Sequence, residues 1–371
     1  MRNCAVHWWA SVFSVGLVMI VIPLWAVSAA PPSIAPPIGE GWLPFSGTPR
    51  QATPTVDVVA TSGSAIDLSV DLPGCVATEL EIDGRKFTRL HGDGYSFPVE
   101  YGLAELPVVR RQVEIPFGAL VTLQLVDAEY ADYLLADLGL HAIYPMQPPL
   151  STQADADHRT LVVDNAFYRS GSHYPKVPVR LGEEYVVRGH RVQPVEVWPV
   201  SYHPAAGSVR VYSHVTLRLA LQGSDAARTR ALAVHYASPA FERLLADHLA
   251  NYNQGRGAAQ PALLATAGYL IVTADDYYDA LAPFVALKAG QGFAVTSTRL
   301  SDIPGGGTKE AIKAYIQNAY DTWPVPPSYL LLVGDTDTVP GWTGETSGQI
   351  TDLYYATMDG PTDWHPDIGL S

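Results

Sequence analysis

The chain has 371 residues, 47% apolar and 16% charged, with 23 basic residues against 37 acidic ones. That length allows two or three domains, and that composition excludes wholesale disorder. A net charge of −14 argues against nucleic acid and anionic membrane surfaces as partners, because both require a basic face.

Arg2 is the lone early charge, and an apolar run from about Ala10 to Val27 ends in Val27-Ser28-Ala29-Ala30. Residues 1–30 read as a secretory signal peptide with a small-residue cleavage site. The mature protein is then expected outside the cell or at its surface, with no membrane attachment after cleavage. The run also has the length of a membrane anchor. No cysteine closes it, so a lipoprotein is not expected. Cys4 leaves with the signal and Cys75 is left alone, so no intramolecular disulfide is expected. Cys75 reads as a small buried thiol rather than a nucleophile. Residues 31–55, with Pro36-Pro37, Gly39 and Pro44, lack apolar periodicity and read as a linker.

Residues 56–236 carry a β pattern. SAIDLSVDL (64–72) alternates with period two, and ELEIDGRKFTRL (79–90) places Asp83-Gly84 between two alternating runs, a hairpin signature. Two more strands flank Pro116-Phe117-Gly118, and residues 181–221 hold three or four, with a turn at 203–207. Short strands at regular spacing predict a sandwich-like domain. Residues 237–254 switch to helical spacing, with Ser238 as N-cap and Pro239 at the first helical position. The loose, small-residue stretch that follows makes 237–267 a boundary segment, with Arg256 a candidate processing site.

From residue 268 onward, strands alternate with helices. Apolar strands are predicted at 269–273, 293–300 and 329–333. Helices are predicted from about Asp276 to Ala289 and after Thr308, where Ile312, Tyr315, Ile316, Ala319 and Tyr320 form one stripe. This rhythm predicts a parallel sheet covered by helices. Ligands in such sheets gather beyond the carboxyl ends of strands, where Asp335 and Asp337 fall. Residues 268–371 hold 13 acidic and four basic residues. Three readings of Asp335 and Asp337 stay open: calcium ligands, an acidic pocket for cationic side chains, or ordinary turn chemistry. Gly305-Gly306-Gly307-Thr308 lacks P-loop spacing, and no HExxH, CxxC or GxSxG motif occurs. His365 has acidic neighbours but no nucleophile beside it.

The segments YLIVTADDYYDALAPFVALKAGQGFAVTSTRLSDI, TKEAIKAYIQNAYD, YLLLVGDTDTVPGW and TDLYYATMDGPTDWHPDI, in that order, resemble the start of the catalytic domain of gingipain-like cysteine peptidases. The stretches GLAELPVVRRQVEIPFGALVTLQL and RGHRVQPVEVWPVSYHPAAGSVRVYSHVTLRL resemble the propeptide of the same family. The resemblance implies a secreted zymogen: a β-rich propeptide lying on a caspase-like, three-layer α/β domain that acts on protein or peptide substrates. It also implies a histidine–cysteine dyad downstream of the last matching segment, so residues 268–371 are expected to be an incomplete catalytic domain, inactive by itself. Asp367 is then the first candidate for the acid that orients the histidine, and Asp363 the second. The family commonly continues into a Gly-Arg pair, where this chain reads PDIGLS; a frameshift or partial record is expected. The competing reading is a secreted non-catalytic binding or inhibitory protein. A receiver-type domain shares the rhythm but conflicts with the export signal.

Overall fold

A computed structural model describes residues 41–46, 52–149, 161–252, 266–344 and 348–370. The signal segment, Arg256 and Glu345 lie outside the described residues.

Among the described residues, the β-rich half contains three sheets. The strands Trp42–Pro44, Gly74–Ile82 and Arg85–His91 form one antiparallel sheet. In the second, His190–Val197 pairs with Val109–Glu114 on one side and with Val179–Leu181 and Tyr185–Val187 on the other. The third is organised by the long strand Ser208–Gln222, which pairs with Leu120–Leu134, Ala65–Asp71 and Val200–His203. Alternation does what the sequence pattern requires: Ile66, Leu68 and Val70 are fully buried, while Ala65, Asp67 and Ser69 between them are not. One apolar core gathers residues from all three sheets, including Leu72, Leu106, Ile115, Leu123 and Leu217. The hairpin at Asp83-Gly84 forms as predicted. Both residues have positive φ (53° and 70°), which a two-residue turn of the primed type demands.

Two sequence-based expectations are corrected in this half. Trp42–Pro44 lies within the stretch read as linker, yet it pairs with Gly74–Val76 and leads Phe45 into the core. Its aromatic side chains outweigh the surrounding prolines. A helix, Ala226–His235, follows the last strand of the β-rich segment; Asp225 caps it by accepting from Arg228 N at 2.9 Å. The helix Pro239–His248 starts at Ser238 as predicted, but that hydroxyl makes no capping bond.

The α/β half contains a parallel sheet in the order Ala294–Arg299, Gly268–Thr273, Pro327–Val333, Gly369–Leu370. Gly268–Thr273 is buried at every position, as expected of an interior parallel strand. The helix predicted from Asp276 begins instead as two 3₁₀ turns and becomes α-helical only at Ala282–Gly290. Pro283, without an amide proton, is tolerated only in a first turn. Thr308 caps the helix Lys309–Thr322, accepting from Ala311 N at 3.3 Å, and Ile312, Ile316, Ala319 and Tyr320 are its buried stripe. Among the described residues, no helix is long and apolar enough to cross a membrane.

Candidate functional site

Asp335 and Asp337 stand just past the carboxyl end of Pro327–Val333, both exposed. Asp335 shapes its own turn: Oδ1 accepts from Thr336 N at 2.6 Å, and its carbonyl accepts from Thr338 N and Val339 N. Neither belongs to a cluster of three potential metal-binding side chains among the described residues.

Asp367 lies at the opposite end of the sheet. Gly369 pairs with Tyr329, so Asp367 sits level with Pro327, at the amino end of that strand. Six residues of strand separate the two places, roughly 20 Å. Asp335 and Asp367 therefore cannot serve one centre.

The carboxylate of Asp367 is fully buried. Oδ1 accepts from Arg188 N at 2.5 Å and from the Tyr320 hydroxyl at 3.3 Å; Oδ2 accepts from Met358 N at 2.9 Å. Its own amide donates to Ala356 O at 2.9 Å, which fastens the loop. Asp359 and Asp363 each bring a carboxylate oxygen close, the group of three lying within 4.8 Å. Burial, reinforced by the neighbouring carboxylates, pushes Asp367 up to about 7 and Asp359 up to about 6. The buried carboxyl of Asp367 is thus the one that most favours a proton, with Asp359 beside it at an exposed position. Asp363 has a different task. It accepts from His365 N at 2.9 Å and from Asp359 N at 3.1 Å, shaping the loop.

The group facing Asp367 comes from the β-rich half. Val187-Arg188-Gly189-His190 turns between two paired strands. Arg188 takes a left-handed conformation, φ 49°. Gly189 (φ +72°) has no room for a side chain, since a Cβ would come within 2.8 Å of Leu232 O and the Tyr236 ring. This turn drives the Arg188 side chain, 1% exposed, into the α/β half. Its Nη1 donates to Pro327 O at 2.7 Å and Asp367 O at 3.1 Å, Nη2 to Ser328 Oγ at 3.4 Å, and Nε to Tyr236 O at 3.0 Å. The guanidinium also lies over the rings of Phe241 and Tyr320, 5.1 and 5.2 Å from their centroids. Burial pulls Arg188 down from its usual value, opposed by Tyr320 and Asp367, and a guanidinium stays charged nonetheless. Two ring stacks flank the contact: Tyr236 on Tyr320 (4.4 Å) and Tyr185 on His365 (3.7 Å).

The match to known proteins divides where the architecture does. Residues 49–241 match the family Propeptide_C25, and residues 262–371 match peptidase family C25. The chain belongs to the C25 family, as a propeptide followed by the start of a catalytic domain. Lys-gingipain of Porphyromonas gingivalis is 27% identical over 346 residues, 89% of this chain and 19% of that protein. Gingipain R2 of the same organism is 23% identical over 265 residues, 70% of this chain and 34% of that protein. This C25 chain thus spans about a fifth of the length of the Lys-gingipains it matches. Among solved structures, one describing the zymogenic latency of gingipain K is 22% identical with a TM-score of 0.43; it covers 50% of this chain, and the match takes in 99% of that chain. A complex of RgpB pro- and mature domains is 16% identical with a TM-score of 0.44; it covers 53% of this chain, and the match takes in 96% of that chain.

Of the residues singled out in the sequence of this C25 chain, the fold gathers Asp367 and Asp363 into one site and leaves Asp335 and Asp337 outside it. Pattern reasoning missed Arg188, Tyr320 as a donor, and Asp359. The readable sign was Arg188-Gly189 between two apolar β runs, a turn presenting a charged residue. Cys75 is fully buried, and burial alone pushes its thiol far up, so it forms no thiolate nucleophile.

Proposed function

We propose that this chain is the amino-terminal part of a secreted cysteine endopeptidase precursor, with residues 56–236 as a sandwich-like propeptide and residues 268–371 as part of a caspase-like catalytic domain. One observation carries the reading: Arg188 of the propeptide is buried against Asp367 of the catalytic part, and its backbone N–H holds Asp367 Oδ1. An acid that orients a catalytic imidazole must offer a carboxylate oxygen to the ring N–H. In this arrangement that oxygen is already taken, and Arg188 fills the approach. The propeptide therefore enforces latency by occupying the acid as well as covering it. Asp363 supports the loop. The family resemblance implies that the nucleophilic cysteine and its histidine lie in sequence beyond Asp367; Cys75, sealed in the propeptide core, supplies no nucleophile.

Incubated with fluorogenic peptides bearing Arg, Lys or other P1 residues, under reducing conditions with calcium, the 371-residue chain is expected to show no thiol-dependent turnover. Turnover blocked by a thiol reagent would contradict this. The coding DNA past the Ser371 codon tests the larger reading. An open frame carrying a histidine and then a cysteine supports a peptidase, whereas an immediate stop overturns it in favour of a secreted non-catalytic protein.

A further inference from the structure

Two residues beyond Arg188, the same turn buries His190 completely. Its ring is bracketed by carboxylates from two other elements. Nδ1 lies 3.2 Å from Glu114 Oε1, on the strand Val109–Glu114, and Nε2 lies 3.5 Å from Glu242 Oε1, on the helix Pro239–His248, an ion-pair distance rather than a hydrogen bond. Both glutamates are themselves buried. The Tyr252 hydroxyl donates to the other oxygen of Glu242. Asn251 clamps the backbone of Glu114 in both directions, Oδ1 accepting from its amide and Nδ2 donating to its carbonyl, each at 2.8 Å. The Arg188 guanidinium feels the charge of Glu242.

The proton count follows from the chemistry of the groups. A neutral imidazole has one donor and one acceptor, whereas a carboxylate has only acceptors. Two ring nitrogens facing two carboxylate oxygens attract both of them only if the trio holds one proton more than a neutral imidazole and two carboxylates. Either the ring is an imidazolium or one glutamate is protonated. Loss of that proton sets a lone pair against a carboxylate in a buried site, where an unmatched polar contact is most costly. A cavity of about 340 Å³ on the propeptide surface borders the trio at Glu114, lined also by Asn251, Ser224, Thr229 and Arg230.

We propose that Glu114, His190 and Glu242 form a proton-dependent latch that holds the Arg188 turn against the catalytic part, closed while the trio keeps its extra proton and released when alkaline conditions remove it. The proposal rests on the covering role of Arg188 and adds a regulator to it. His190 is a positioning residue: it touches neither Asp367 nor any reacting group, and acts through the turn it shares with Arg188.

Hydrogen exchange of the full chain, read by mass spectrometry at pH 6 and pH 9 and corrected for intrinsic rates, tests the latch. In the wild type, protection of residues 185–192 and 355–367 is expected to fall at least tenfold between the two pH values, while residues 268–273 keep theirs. In Glu242→Gln the side-chain amide can donate to a neutral ring, so protection is expected to persist at both pH values. Glu114→Gln makes the same test from the other nitrogen should the first variant not fold. Asp367 is intact in both variants, so pH dependence arising from it would survive. A flat wild-type profile, or a glutamine variant that keeps the wild-type fall, would overturn the latch. Neither result would touch the covering role of Arg188, which is tested without change of pH.

Discussion

Arg188→Ala is expected to lower the stability of the chain by about 3–5 kcal/mol, the range found when one partner of a buried charged network is removed. The substitution deletes a guanidinium that donates to three carbonyls and a hydroxyl, and so leaves buried acceptors at Pro327, Asp367 and Tyr236 without that donor. Against this stands the desolvation penalty that Arg188 itself incurs, visible as its downward shift. The loss dominates because the acceptors stay buried after the arginine has gone, and an unmet buried group costs more than a made hydrogen bond contributes. Lysine should not rescue, because a point charge cannot reproduce three donor directions in one plane. Because the contact joins the apolar cluster around Val187 and Phe241 to the α/β core around Tyr320, denaturant melts of the variant should separate into two transitions. Arg218→Ala, which removes an exposed pair with Asp67, should leave the midpoint almost unchanged. An Arg188→Ala melt that overlays the wild type would contradict the account.

Asp367→Asn is expected to remove most of the acid-side pH dependence of stability. In the fold, Asp367 is raised from 3.8 to about 7, so between those values the folded chain holds a proton that the unfolded chain has released. The contribution is complete below about pH 4 and is lost as pH rises through 7. Asp359, raised to about 6, acts in the same direction. Each pH unit inside that window changes stability by at most about 1.4 kcal/mol per proton. The wild-type midpoint should therefore be lower at pH 7 than at pH 5, and the asparagine variant should show a much shallower slope. Hydrogen bonds from Arg188 N and Met358 N favour the carboxylate, but burial and the like charge of Asp359 outweigh them, as the upward shift shows. An asparagine variant with the wild-type slope would place the titration elsewhere.

The strands and helices were legible because they obey local rules. Period-two alternation at 64–72, Asp83-Gly84 in a primed turn and Thr308 ahead of an amphipathic stripe each act within a few residues. Trp42–Phe45 was not legible, since its partner lies some thirty residues away and proline-rich surroundings mask a three-residue strand. Asp367 could be singled out through its resemblance to a family motif. Its burial could not, because that depends on Arg188, Tyr320 and Met358 arriving from three other segments. Arg188 itself carried no local signal of burial. Only the pairing of its two flanking strands fixes the left-handed turn that points it inward. The strand-end aspartates Asp335 and Asp337 drew attention through a sound general rule about parallel sheets, yet the carboxylate cluster with buried Asp367 forms at the opposite end.

Trypsin offers the most direct measurement of the central claim, that Arg188 is buried against the catalytic part. Digestion of the native chain at neutral pH, with products followed by mass spectrometry, should cut early after exposed residues such as Arg85 and Lys176. The Arg188–Gly189 bond should survive until the chain unfolds. Cleavage after Arg188 at the rate of those exposed sites would contradict the account.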